Sequence, residues 1–185
     1  MEALDLLLNR VSVPRLYEPA PDAAQRDLLF RAALRAPDHG QLHPWRFLTI
    51  EGEARQRLGE LFAQAVAAGP QVKPEQLDRA RGLPLRAPLL VAVIASPKAH
   101  AKIPLSEQIL SAGCAAHGII LAAHALGLGA MWRSGDLSHD PVVKAGLGLS
   151  SSEQIVGFVY LGRVEGERRI PLLLKPADFV DAWIG

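Results

Sequence analysis

A chain of 185 residues has ordinary single-domain size and is long enough to bury most of the surface its unfolded form exposes. Its 49% hydrophobic and 21% charged residues are those of a packed globular domain, not of a disordered segment. Twenty basic against nineteen acidic side chains leave a net charge of +1, which argues against the broad basic surface that nucleic acid requires, and the single cysteine, Cys114, excludes an internal disulfide framework.

The opening MEALDLLLNRVSVPRLYEPA carries Glu2, Asp5 and only a short leucine run, where a signal peptide needs a basic start and a longer apolar stretch, so a cytoplasmic protein is expected. Residues 2–8 predict a short helix that ends before Pro14, and 22–35 a second one with Leu28, Leu29, Ala32 and Ala33 on one face. Pro37, Gly40 and Pro44 turn residues 36–44 into a rigid loop. A strand over 46–51 and a helix through about 67 follow, and then a polar stretch, AAGPQVKPEQ, expected to be the most mobile part. The unbroken apolar run 88–96 predicts a central strand covered on both faces.

From Ile109 to Trp132 there is no Asp, Glu, Lys or Arg, a length that could cross a bilayer. Four glycines (113, 118, 127, 129) and two histidines (117, 124) favour a buried core helix instead, with Gly127 and Gly129 separating it from a strand over 128–132. Its small residues, Ser111, Gly113, Ala115, Ala116 and Gly118, allow another backbone close, and Cys114 is expected to be a buried thiol. A helix near 139–147 and a buried strand over 154–162 complete a single α+β domain over 1–185. The apolar tail, with Leu172, Leu173, Leu174, Phe179, Val180 and Trp183, must pack on its own domain or on another subunit.

Three clusters carry polar chemistry. NRVSVPR sets Arg10, Ser12 and Arg15 close together, offering guanidinium forks and a hydroxyl to a phosphate. RAPDHGQLHPW (35–45) gathers Arg35, Asp38, His39, Gln41 and His43 in a proline-stiffened loop; Gly40 and Pro44 oppose the helix that zinc ligation by His39 and His43 would need, so no metal is expected. In GLGAMWRSG (127–135), Trp132 is followed at a strand end by Arg133 and Ser134, and the glycines precede the strand, opposite to a dinucleotide fingerprint. No nucleophile triad, paired carboxylate, P-loop or CxxC pair stands out, so a cofactor is expected to bring the chemistry.

Together these clusters resemble the nitroreductase family of flavoproteins, in particular its short YdjA-like branch. The resemblance covers nearly the whole chain and rests on NRVSVPRLYEPAP, RAPDHGQLHPWRF, RAPLLVAVIA, EQILSAGCA, WRSGDLSHDPVV and QIVGFVYLG. It implies a mostly antiparallel sheet surrounded by helices, an intertwined homodimer, and two FMN molecules in clefts between subunits. It further implies that Arg10, Val11 and Ser12 with Arg133 contact the phosphate and ribityl chain, that Met131 and Trp132 neighbour the flavin, and that Arg35 and His39 reach it from the partner subunit. Leu121, Ala122, Ala123, His124, Ala125 and Leu126 correspond to the family's nicotinamide contact.

The activity implied is electron transfer from NAD(P)H through FMN to a small electron-poor acceptor such as a nitroaromatic or quinone, by a ping-pong mechanism, with no part for nucleic acid or membrane. Two alternatives remain open: a non-catalytic FMN-binding or flavin-sensing protein, and an enzyme that oxidises or dehalogenates a dedicated substrate. Val11 stands where the family commonly has a second arginine, and Gln41 and His43 where its NxQPW loop has Asn and Gln, so the acceptor pocket is this chain's own.

Overall fold

The computed structural model describes residues 2–185, and its elements change where the hydrophobic period changes. Helix α1 (Ala3–Asn9) ends ahead of Pro14. Helix α2 (Ala23–Ala33) begins at Asp22, whose carboxylate accepts the Gln25 N–H at 2.8 Å while the Gln25 side chain accepts the Asp22 N–H at 3.0 Å. A single turn, His39–Gln41, precedes strand β1 (Trp45–Glu51), followed by helix α3 (Glu53–Ala67), helix α4 (Pro74–Gly82) and strand β2 (Leu89–Ala95). Helix α5 (Leu105–Ala125) leads through Gly127, which has a positive φ of 76°, into strand β3 (Gly129–Arg133). Helices α6 (Asp136–His139) and α7 (Pro141–Gly146) precede strand β4 (Gln154–Gly162).

The four strands form one antiparallel sheet in the order β1-β2-β4-β3. Every residue of β2 is buried, as its unbroken apolar run requires of a strand covered on both sides. One face, with Leu89, Val91 and Val93, meets α2 and α5; the other, with Leu90 and Ala92, meets Leu58 and Phe62 of α3, Ala80 of α4 and Val143 of α7. The pairing of β2 with β4 shifts between Val93 and Ile94, so Val156 stands out of the ladder.

Helix α5 is the one helix among the described residues long and apolar enough to cross a membrane, and it lies in the core instead: Ala112, Ala115, Ala116, Ile119 and Ala123 are completely buried. Gly118 sets its approach to α2, since a Cβ there would come within 2.9 Å of the Ala32 carbonyl oxygen.

Three local expectations are corrected. The buried stripe of α2 is Leu29 and Ala33, whereas Leu28 remains 44% exposed, because only one narrow face meets α5. The helix expected over 139–147 is divided at Asp140, whose carboxylate accepts the Val142 N–H at 2.8 Å. Cys114 is exposed, because it lies on the side of α5 turned away from the sheet. The tail beyond Val164 has only one turn, Pro176–Asp178, and its large apolar side chains are open, Trp183 by 93%.

Candidate functional site

Residues 12–17 run beside β3 and fasten the N-terminal segment to the sheet. The Val13 N–H donates to Ala130 O at 3.0 Å, the Leu16 N–H to Arg86 O at 2.9 Å, and Tyr17 bridges to Arg163. Because this segment lies over the sheet edge, it separates two recesses.

The first recess, about 220 Å³, is lined by Ser12, Arg15, Arg168 and Arg169 together with Glu165 and Glu167. Glu165 is already paired with Arg163. Arg168 crosses to the end of α5, where its Nη2 donates to Gly127 O at 2.7 Å and Leu128 O at 3.1 Å, and its Nη1 donates to His124 Nδ1 at 3.0 Å. A cation here offsets the negative end of the helix dipole. A guanidinium only donates, so Nδ1 accepts and His124 is the neutral tautomer with its proton on Nε2. Burial, with the charges of Arg168 and Arg10, holds the His124 imidazole below its ordinary range.

The second recess, about 350 Å³, combines Met131, Trp132, Arg133 and Ser134 with Arg79, Arg86 and Tyr160, over an apolar floor that includes Phe62, Leu83 and Leu137. Met131 and Arg133 alternate with Trp132 along β3 and so point to the opposite face. Arg133 donates from Nη2 to Pro14 O at 2.8 Å, and its guanidinium carbon lies 5.2 Å from the centre of the Tyr160 ring. Its Nε is buried with no hydrogen-bond partner among the described residues. Burial pushes the Tyr160 hydroxyl up to about 12, so it remains a neutral phenol.

Ser12 and Arg133 therefore line different recesses. The phosphate-type donors beside Ser12 are Arg15, Arg168 and Arg169, while Arg133 faces Arg79 and Arg86. Arg10 is close enough to His124 to lower its basicity, and the neighbouring Val11 is half-buried. Of the stretch that the resemblance matches to nicotinamide, Ala123 and His124 are buried, Ala122 and Leu126 pack against the core, Leu121 is half-buried and Ala125 is exposed.

Arg35 and His39 are exposed and line neither recess. Arg35 shares a polar cleft with Asp38, Gln41 and His43, and the Asp38 carboxylate accepts the His43 N–H at 2.7 Å. His39 Nδ1 lies 2.7 Å from the Glu107 carboxylate on the first turn of α5. Sequence reasoning missed Glu107, Arg79 and Arg86 because each lies far along the chain from the residues it joins. The Arg168–Arg169 doublet was visible as charge, but nothing local connected it to Ser12.

The model for the "Nitroreductase family" matches residues 7–163. The chain is 47% identical over 163 residues to an Escherichia coli protein named "Putative NAD(P)H nitroreductase YdjA", covering 88% of each. It is 38% identical over 182 residues to a Haemophilus influenzae "Putative NAD(P)H nitroreductase", covering 97% of this chain and 98% of that protein. Among solved structures, a nitroreductase-like protein from Bacillus cereus superposes with a TM-score of 0.86 at 21% identity, covering 100% of this chain and 97% of the other. A Bacteroides fragilis nitroreductase crystallised with bound FMN superposes at 0.75 with 23% identity, covering 98% and 99%.

Proposed function

The chain belongs to the nitroreductase family, and from that premise we propose that it holds FMN and passes electrons from NAD(P)H to a small electron-poor acceptor, such as a nitroaromatic or a quinone. The observation that carries this reading is the pair of arginine-bearing recesses on either side of residues 12–15. A dianionic phosphate suits the polar recess in which Ser12, Arg15 and Arg169 offer a hydroxyl and guanidinium donors with Arg10 nearby, while Arg168 is engaged at the end of α5 and Glu167 shares the lining. A flat ring suits the other, whose Met131 side chain and apolar floor end in arginines. The unpartnered buried Nε of Arg133 is the mark of a site that expects an electron-rich group. FMN, once bound, supplies hydride acceptance and release; the protein positions the ring and excludes water. Donor and acceptor then use the same open face in turn.

The proposal extends to a homodimer of single-domain subunits. Leu4, Leu7 and Leu8 of α1, Leu110 of α5 and the tail from Ile170 to Ile184 are exposed together, more apolar surface than a lone soluble chain normally shows. Arg35 and His39, which line neither of the two arginine-bearing recesses of their own chain, are then available to a partner's cofactor.

The test begins with the purified protein. The chromophore released by denaturation is expected to be FMN, and anaerobic NADH or NADPH is expected to bleach the bound form. FAD, or colourless protein that takes up no FMN, overturns the cofactor assignment. Stable yellow colour with either nicotinamide instead supports a flavin-binding protein without turnover. Arg169→Ala and Ser12→Ala are expected to weaken FMN by roughly ten- to a hundredfold and riboflavin, which lacks the phosphate, hardly at all.

A further inference from the structure

A recess of about 500 Å³ opens at the end of the sheet where Ala95 of β2 pairs with Gln154 of β4, between the loop that leads from β2 to α5 and residues 151–154. It shares no lining residue with either arginine-bearing recess or with the Arg35 cleft. Its volume lies within that of small-molecule sites, roughly 300–1,000 Å³. Side chains fix the loop that walls it. The buried Gln108 amide on the first turn of α5 accepts the Lys98 N–H at 2.8 Å and donates to Lys98 O at 2.9 Å. His100 Nδ1 accepts the N–H groups of Lys102 and Ile103, each at 3.2 Å. The Ser96 N–H donates to Pro44 O at 3.0 Å, and Ile103 packs so close to Gly40 that a Cβ there would come within 2.5 Å of its Cδ1. The wall is in place before any ligand arrives, which lowers the cost of ordering on binding.

The lining decides what that ligand presents. Among the described residues no Asp or Glu lines this recess, and Lys98 forms no ion pair. The carboxylates adjacent to the lining in sequence are committed elsewhere, Glu107 to His39 and Glu153 to Arg46. Because Nδ1 of His100 accepts two N–H groups, the ring proton is on Nε2 and this imidazole is a neutral donor. Ser151, Ser152 and Gln154 add two hydroxyls and an amide. One cation among neutral donors matches a single negative charge better than the two of a phosphate. Pro97, Ala99, Ile103, Pro104 and Leu105 supply apolar wall that a compact hydrated ion would leave uncovered. We propose that this recess is a second ligand site, for an organic monocarboxylate whose apolar body lies against Ile103 and Leu105 and whose carboxylate meets Lys98 and His100. The site stands apart from the FMN reading, since none of its residues enters the recesses on which that reading rests.

The experiment uses the full-length protein as purified, with benzoate as the probe, benzamide as its uncharged counterpart, acetate as the charge without the ring, and inorganic phosphate. Binding is read by NMR titration from the His100 imidazole and the Gln154 side-chain amide, and FMN affinity by fluorescence. Benzoate is expected to shift both signals saturably at millimolar concentration, with benzamide and acetate each roughly tenfold weaker. Lys98→Gln is expected to weaken benzoate by roughly tenfold, the low end for a hydrogen bond to a charged group, and to leave FMN affinity unchanged. Lys98→Arg is expected to restore most of the loss. No saturable shift in the wild type, or equal benzoate affinity in Lys98→Gln and wild type, overturns the proposal and leaves the FMN reading untouched. Benzamide that binds as tightly as benzoate shows a recess that reads shape without charge, and phosphate that binds more tightly shows one built for a compact anion; either result also overturns it. Protein that holds no FMN yet binds benzoate as expected supports this site and refutes the FMN reading alone.

Discussion

The indole of Trp132 lies over Gly157 of the neighbouring strand, two residues along from its register partner Val159. A Cβ at Gly157 would collide with the indole nitrogen and stand 2.8 Å from the Arg133 carbonyl oxygen. The register shift beside it frees the Val156 carbonyl, which accepts the indole N–H at 3.3 Å. Trp132 is thus set by one glycine and one displaced carbonyl.

Gly157→Ala is therefore expected to fold with its indole displaced. Overpacking of this kind costs about 1 to 3 kcal/mol. Near-ultraviolet circular dichroism and tryptophan emission are expected to change while far-ultraviolet dichroism does not. A variant with wild-type stability and an unchanged tryptophan signal means that Trp132 does not occupy this place.

His124 yields a pH dependence. Its folded-state pKa is lowered by burial first and by Arg168 and Arg10 next, from an ordinary value of 6.5. The unfolded chain therefore takes up a proton that the folded chain resists, so this contribution to stability is complete above pH 6.5 and is lost as the pH falls below it. Arg168→Ala removes one of the charges responsible, so the His124 resonance is expected to titrate at higher pH in the variant than in the wild type. An unchanged titration means that Arg168 does not face the imidazole.

Glu153 operates in a lower window. It is 7% exposed and accepts from Arg46 Nε at 2.6 Å and Nη2 at 2.9 Å and from the Ser150 N–H at 2.9 Å. The hydrogen bonds from Arg46 above all, and that from Ser150, bring its carboxyl down to about 2 from 4.5 against the cost of burial. Its stabilisation is present above pH 4.5 and is lost as the pH falls through 2. Glu153→Gln is expected to cost about 1.5 to 3 kcal/mol at neutral pH by denaturant titration. The difference from wild type is expected to shrink steadily below pH 4.5, and a difference independent of pH refutes the assignment.

The open face of α5 tests assembly. Leu110, Cys114 and His117 recur there at intervals of four and three, so they form one stripe. If two copies meet on this stripe, Leu110→Glu removes about 1.5 to 3 kcal/mol of apolar burial from each subunit. That weakens a symmetric dimer by roughly two to four powers of ten. Sedimentation velocity across a dilution series is the measurement. Wild-type protein that is monomeric at micromolar concentration, or a variant that dissociates no more readily, counts against a subunit contact here.

The strands were legible because their signal is local. The apolar run of β2 and the run over 154–162 each specify a strand buried on both faces, and the bounds of the four strands fall within a residue of where the periodicity put them. Pro37, Gly40 and Pro44 likewise mark their loop without help from the rest of the fold. The resemblance of the three motif clusters to the nitroreductase family also comes from the sequence, since it rests on residue identity and order.

What needed the tertiary structure is everything that depends on which face meets which neighbour. Cys114 and Ala115 are adjacent in the same charge-free stretch, yet one is exposed and the other completely buried, because only the sheet decides the inward side. His117 and His124 lie near one helical face, but Arg168, forty-four residues beyond His124, covers only the second. The family resemblance implies a grouping of Arg133 with Arg10 and Ser12, and Arg133 Nη2 reaches the Pro14 carbonyl two residues beyond Ser12. The alternation of β3 turns its side chain toward Tyr160 and Arg86, while the chain beyond β4 brings Arg168 and Arg169 to Ser12. Charged side chains carry no periodic signature of their partners, so a site assembled from distant arginines becomes visible only once the backbone has fixed where each one points.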